Sequence, residues 1–212
     1  MPYKKRKYYR KRRPTKYTKR RLIKAYLRKK SKKGNATFVK LRYNYPLTTS
    51  STGGLETRYN ISNPTNVLFG SEVVQDWSSF AALYDQYRVF AVKIKYIPNF
   101  PNNESTLTVF RPLYMVTDYD SIVVLASVNE AIQYENLRVK NLQRPFSFYI
   151  RVPKLIATYG VTGATVQVAQ GWFDIAYPTD TGAIRTIATD LSASSIYGTF
   201  VITYYVGFKN RR

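Results

Sequence analysis

The stretch YRVFAVKIKYIP, residues 87–98, shows most clearly which kind of fold this chain adopts. Apolar residues alternate with lysines, which puts Phe90, Val92, Ile94 and Tyr96 on one face and Lys93 and Lys95 on the other. Strict alternation is the pattern of a β-strand with one buried and one solvent-facing side. The stretch therefore predicts a half-buried strand.

Similar patterns recur along the chain. They predict further strands in residues 36–47, 105–120, 144–154, 164–178 and 197–212. In the last of these, Phe200, Ile202, Tyr204, Val206 and Phe208 share one face. The connections are polar and rich in Pro and Gly, and strands do not alternate with long helices. Seven or eight strands in this arrangement predict an antiparallel β-sandwich or barrel.

Two short helices are predicted between the strands. In residues 75–87, the side chains of Trp77, Phe80, Ala81 and Tyr84 fall at helical spacing, and Asp76 precedes them as a candidate N-cap. Residues 127–136 begin with Ser127 and carry Glu130 three positions later, which is the capping-box pattern.

Positive charge is concentrated in the first part of the chain. The sequence has 34 Lys and Arg against 12 Asp and Glu, and 18 of the 34 lie in residues 1–33, which contain no acid. The remaining residues carry 34 − 18 = 16 basic and 12 acidic groups, a balance of only +4. A segment this basic cannot bury enough apolar surface to offset its ordering entropy. We expect a disordered arm in residues 1–34 and one globular domain in residues 35–212.

The arm has the composition of a protein segment that binds nucleic acid. Lys and Arg neutralise phosphates and release counterions, and interleaved tyrosines offer flat faces to unpaired bases, which favours a single strand. A solvated charge run is the alternative, and 18 basic groups without an acid disfavour it. The residues assigned to nucleic-acid binding are Lys4, Lys5, Arg6, Lys7, Tyr8, Tyr9, Arg10, Lys11, Arg12, Arg13, Lys16, Tyr17, Lys19, Arg20, Arg21, Lys24, Tyr26, Arg28, Lys29 and Lys30.

Two further properties are expected of the arm. Lys4, Lys5, Arg6, Lys7, Arg10, Lys11, Arg12 and Arg13 also fit a nuclear import signal read by host import receptors. Residues 18–30 could form an amphipathic helix, but Arg20, Lys24 and Arg28 would repel one another at i, i+4 spacing. We expect this helix to form only on a polyanion or an anionic membrane.

Catalysis is not expected. The chain has no His and no Cys, so the commonest general base and the usual zinc ligands are absent, and no cofactor is predicted. Asp118 and Asp120 form a D-x-D pair without the Gly and distal Glu of a calcium loop, and we expect them to be loop acids. No apolar stretch is long enough to span a bilayer, so no membrane partner is expected.

FAALYDQYRVFAVKIKYIPN, residues 80–99, and YGTFVITYYVGFKNRR, residues 197–212, resemble the capsid proteins of circular, Rep-encoding single-stranded DNA viruses, the circovirus-like group. The resemblance implies an eight-stranded antiparallel jelly roll. It also implies self-assembly of 60 copies into a T=1 icosahedral shell with the arm against a single-stranded DNA genome, and assembly in the host nucleus before the protein becomes part of the virion.

In such a shell, aromatic side chains suit subunit contacts, and the candidates are Trp77, Tyr119, Tyr159 and Trp172. The alternative for the two tryptophans is that they belong to the core. Two other functions stay open: a non-viral nucleic-acid-binding protein, which should carry basic patches on its folded domain, and a membrane-active cationic protein acting through residues 18–30. A capsid of a small RNA or satellite virus is a third alternative, because such capsids share the jelly roll.

Overall fold

The computed structural model describes residues 36–70, 72–99, 110–153, 157–158, 167–168 and 171–211. Two antiparallel sheets form most of this part. Sheet A contains β1 (Thr37–Thr48), β11 (Ile196–Arg211), β3 (Tyr84–Pro98) and β6 (Phe146–Arg151) in that order. Sheet B contains β2 (Leu55–Asn60), β10 (Ala183–Ala188), β4 (Pro112–Asp118) and β5 (Arg138–Asn141) in that order. The predicted arm, residues 1–34, lies outside the described residues.

The strand order is that of an eight-stranded jelly roll, so the predicted fold class is confirmed. The first strand pairs with the last, and consecutive strands along the chain alternate between the two sheets over β1 to β4. Three two-residue strands are additional: β9 (Phe173–Asp174) pairs with β3, and β7 (Ala157–Thr158) pairs with β8 (Gln167–Val168).

The core lies between the two sheets and is rich in aromatic side chains. The five residues predicted to share one face of β11 are all buried. Tyr96 is also fully buried, and its hydroxyl lies 2.6 Å from the carbonyl oxygen of Tyr197 and 2.9 Å from that of Leu142. Because a buried hydroxyl without a partner costs free energy, these contacts allow tyrosine to serve as a core residue here.

Both predicted helices are present but short. α1 spans Trp77–Ala81, and its predicted cap is wrong: Asp76 has φ 66° and its side chain makes no capping hydrogen bond. Tyr84 belongs to β3 rather than to this helix. α2 spans Val128–Ile132, and Ser127 accepts a hydrogen bond from the Glu130 backbone N–H as the capping pattern predicts.

One predicted side-chain direction is wrong. The register between β11 and β3 shifts at Tyr205, which pairs with Ala91, whereas Val206 pairs with Val89. Phe90 is therefore an extra residue in a β-bulge, and it lies on the outer face of sheet A instead of in the core with Val92.

Among the described residues, no helix is long and apolar enough to cross a membrane.

Candidate functional site

The outer face of sheet A is strongly basic. Its central positions carry Lys40 and Arg42 on β1, Lys93 and Lys95 on β3, and Arg151 on β6, a group of side chains that we call the basic face. One cross-strand row runs from Arg42 through Thr203 and Lys93 to Tyr149. Strands in a sheet lie about 4.8 Å apart, so the backbones of Arg42 and Lys93 are about 10 Å apart.

No carboxylate lies among these cations. The described outward positions of β1, β11, β3 and β6 from the Phe38 row to the Pro46 row contain no Asp or Glu. Beyond these rows, the described acids of the sheet are Asp85 on β3 itself and, opposite Gln86 at the far end of β3, Asp174. The Oδ1 of Asp174 accepts a hydrogen bond from the backbone N–H of Ala176. The basic face is therefore not neutralised within its own sheet.

Two tyrosines lie within the basic face. The rings of Tyr149 on β6 and Tyr205 on β11 meet edge to face, 6.1 Å apart, although β3 runs between their strands. The residue of β3 that pairs with Tyr205 is Ala91, whose small side chain leaves room for this contact. The ammonium group of Lys40 lies 5.6 Å from the centre of the Tyr205 ring. Tyr149 remains 55% exposed, so one aromatic face is open to solvent.

An aromatic cluster covers the other end of the same face. Phe90 contacts Phe38 at 5.4 Å and Trp172 at 6.1 Å between ring centres. Arg88 stacks on Phe90 and Lys209 lies over Trp172, each 4.8 Å from the ring centre. Burial lowers the pKa of the Arg88 guanidinium. These cations are engaged by aromatic rings, unlike most of those in the basic face.

Sheet B presents a different outer face, because the segment of residues 119–137 covers it. Val116 and Ile187 of the sheet, with Leu125 and Ala131 of the segment, form a second small core. Beside it, Arg185 is 3% exposed and forms ion pairs with two carboxylates.

Arg185 is neutralised by groups from three parts of the chain. Its guanidinium contacts Asp118 Oδ2 at 2.9 Å, Glu130 Oε1 at 2.6 Å and the carbonyl oxygen of Val124 at 3.0 Å. Burial alone would raise the pKa of Asp118, but hydrogen bonds from Asp120, Tyr134 and Arg185 outweigh it and lower that pKa. The expectation that Asp118 is a loop acid is wrong, because it ends β4 and pairs with a buried cation.

The sequence profile described as Circovirus capsid protein matches residues 5–212. The chain belongs to the circovirus capsid protein family. No curated protein sequence matches this capsid protein.

Solved structures share its fold. The 60-mer BFDV capsid protein has a TM-score of 0.53 at 12% identity, covering 84% of this chain and 95% of that chain. Tobacco necrosis virus gives 0.53 at 13% identity, covering 84% and 97%. Cocksfoot mottle virus gives 0.54 at 10% identity, covering 84% and 95%. At these identities the likeness shows the jelly-roll fold alone.

The aromatic residues predicted at subunit contacts of this capsid protein lie in different environments. Trp77 is 6% exposed and packs on Tyr87, so it belongs to the core, which was the alternative to a subunit contact. Trp172 is half-buried in the aromatic cluster. Tyr119 is 40% exposed. Tyr159 and all twenty nucleic-acid-binding positions of the arm lie outside the described residues.

Sequence reasoning missed the basic face of this capsid protein. Each strand showed its cations, and Lys93 and Lys95 were placed on the outer side correctly. The pairing of β1 with β11 and of β11 with β3, which brings Arg42 beside Lys93, could not be read from any one strand. The near-balance of the domain's total charge also concealed it, because the acids lie elsewhere.

Proposed function

We propose that this capsid protein assembles into a 60-copy, T=1 icosahedral shell and packages a circular single-stranded DNA genome through the arm of residues 1–34. The observation that carries the proposal is the arm's charge, 18 Lys and Arg without one acid, in a chain of the circovirus capsid protein family. The family's role is structural, and the proposed function includes no catalytic step.

The size of the charge fits packaging. Sixty arms would bring roughly 18 × 60, about a thousand positive charges, into one particle. A small genome of roughly one to two thousand nucleotides carries about one negative charge per nucleotide. The arms would therefore offset a substantial part of its phosphate charge. The 60-mer of the BFDV capsid protein, which shares the fold, supports this copy number.

Single-stranded DNA is the proposed cargo. Tyr8, Tyr9, Tyr17 and Tyr26 stand among the arm's cations and suit stacking on unpaired bases, which a duplex would not offer. The resemblance of residues 80–99 and 197–212 to capsid proteins of circular single-stranded DNA viruses supports DNA as the cargo in preference to RNA. Residues 4–13 are proposed to bind host import receptors as well, which would bring the protein to the nucleus for assembly before it becomes part of the virion.

The shell requires contacts between copies of the folded domain, residues 35–212. Tyr119 and Trp172 remain candidates for these contacts, and Tyr159 is a third candidate outside the described residues. Trp77 is a weaker candidate than the sequence implied, because a buried ring has little surface to offer a neighbour.

The test compares the full chain with a variant that lacks residues 2–33. Both are expressed, treated with nuclease and imaged by electron microscopy, and the 260/280 nm absorbance ratio is read on the same samples. We expect round particles with protected nucleic acid for the full chain and loss of that nucleic acid for the variant. Extraction and digestion of the cargo with DNase or RNase identifies it. Retention of as much nucleic acid by the variant as by the full chain at moderate salt would refute the role of the arm.

A further inference from the structure

We infer that the basic face of sheet A is a second nucleic-acid contact, which holds the sugar-phosphate chain of the packaged strand with Arg42, Lys93 and Lys95 and stacks its bases on Tyr149 and Tyr205. The inference rests on the proposed function, since it assigns a partner to the folded domain of the same capsid protein. It places part of the genome on the sheet as well as on the arm.

Placing the cations of the basic face side by side has an electrostatic cost. Like charges that neighbour one another on a sheet face repel, and carboxylates normally offset them. Here five cations share the central rows, and no acid occupies an outward position among them. Arg42 and Lys95 are exposed, so they contribute nothing to packing of the core. A polyanion on this face removes the repulsion and explains why only one sign of charge is present.

The aromatic rings of the basic face lie among its cations. Nonspecific single-strand sites combine cations that follow the backbone with aromatic faces on which bases stack. Tyr149 is 55% exposed beside Lys93 in the same cross-strand row, and its contact with Tyr205 fixes the direction of its ring. A tyrosine this exposed adds little to the stability of the sheet. A base stacked on it would contribute about 1–3 kcal/mol to the binding free energy.

The outer faces of the two sheets differ in whether their cations are paired with carboxylates. Residues 119–137 cover the outer face of sheet B, and its central cation, Arg185, is paired with two carboxylates. Sheet A carries Lys40 and Arg42 on β1 and Lys93 and Lys95 on β3, with no carboxylate at an outward position among them. Lys40 lies three positions after Thr37, the first residue of β1, which is about 10 Å along the strand. In the sequence, the arm continues directly into β1, the strand that carries Lys40 and Arg42.

The direct test is photocrosslinking within purified particles of the full chain. After ultraviolet irradiation and nuclease digestion, mass spectrometry locates nucleotide adducts on tyrosines. We expect adducts on Tyr149 or Tyr205 in addition to those on the arm. Tyr177, which is 73% exposed but lies away from sheet A's basic rows, is the internal control and should remain unmodified.

The second test compares two charge-matched triple variants of the full chain. The face variant carries R42Q, K93Q and K95Q, and the control carries R111Q, R138Q and R144Q, three exposed arginines outside the basic face. Binding of a fluorescent oligothymidylate is measured across a series of salt concentrations. Three lost phosphate contacts on a single strand should reduce the slope of log K against log salt by about 2 for the face variant. The control should match the unmodified chain.

The outcomes separate the two proposals. Adducts confined to arm tyrosines, together with equal slopes for both variants, would overturn this inference while the proposed packaging by the arm stands. Particles without any protected nucleic acid would overturn both. Because crosslinking uses the unmodified chain, the inference stays testable even if the face variant fails to assemble.

Discussion

Arg185 is the residue on which the outer layer of sheet B depends. Its partners Asp118 and Glu130 lie 67 and 55 positions away in the chain. Glu130 also accepts a hydrogen bond from the backbone N–H of Ala126 through its second oxygen, so one carboxylate both orders the start of α2 and holds it against the sheet. Breaking a buried pair from one side leaves its partners charged and unpaired.

We therefore expect Arg185→Met to lower the free energy of unfolding by about 3–5 kcal/mol. Chemical denaturation of the two proteins, followed by tyrosine and tryptophan fluorescence, measures the difference. Arg138→Met, at an exposed arginine whose side chain bonds only to the neighbouring carbonyl of Leu137, is the control and should change stability little. Adding D118N and E130Q to the Arg185 variant should recover part of the loss. A loss below about 1 kcal/mol for Arg185→Met would show that the ion network is not what holds this layer.

At the scale of single elements, β11 is the strand on which sheet A is built, because it pairs with β1 on one side and β3 on the other. Gly207 lies in it beneath the Phe38–Phe90 pair. A Cβ at this position would come within 2.7 Å of the Phe90 ring and 3.1 Å of the Phe38 ring. The glycine thus provides the room that the bulged Phe90 needs on the outer face.

Gly207→Ala should therefore destabilise the domain by about 1–3 kcal/mol, the usual cost of overpacking. The same substitution in a Phe90→Ala background is the matched test, because the ring that clashes is then gone. Thermal unfolding of the four proteins of this cycle gives the coupling between the two positions. We expect the penalty of Gly207→Ala to fall by at least half in that background. An unchanged penalty would place its origin in the backbone and not in the aromatic pair.

The strands differ in how readily the sequence predicts them. β1, β3, β6 and β11 each bury one face, so period-two alternation identifies them. β10, by contrast, is buried at all six positions, because residues 119–137 cover its outer side. Its sequence therefore lacks the alternation of apolar and polar residues by which a strand is predicted. β2 and β5 were also missed: β5 has only four residues, and the six residues of β2 do not alternate, since Tyr59 and Asn60 are both buried. The bulge at Phe90 escaped prediction because it depends on what the partner strand offers.

At the scale of the whole molecule, the distribution of charge is more informative than its sum. The charge balance of +4 outside residues 1–33 indicates a nearly neutral domain. From the sequence alone, such a balance argues against basic patches on the domain surface. The fold separates the signs, with Asp118 and Glu130 turned toward Arg185 and the cations of sheet A left together. A small net charge is therefore compatible with a basic patch on the folded domain, and such a patch does not by itself favour a non-viral nucleic-acid-binding protein.

The same electrostatics make a prediction for the arm. In residues 18–30, a helix would align Arg20, Lys24 and Arg28, and each i, i+4 pair of like charges costs a few tenths of a kcal/mol. Neutralisation by a polyanion removes this cost and leaves Leu22, Ile23, Tyr26 and Leu27 on a common apolar face. We therefore expect the arm to gain helix when oligothymidylate is added to the unassembled chain at low salt.

Far-ultraviolet circular dichroism measures this gain as a deeper minimum at 222 nm on titration. The variant without residues 2–33 provides the reference, because it keeps the β domain and should show no change. Raising the salt concentration should reverse the gain as the oligonucleotide dissociates. Binding of the oligothymidylate can be followed separately by its fluorescence. If binding saturates while the circular dichroism spectrum equals the sum of the spectra of free protein and free oligonucleotide, the arm binds in an extended form. The i, i+4 cations would then serve as separate phosphate contacts and not as one helical face.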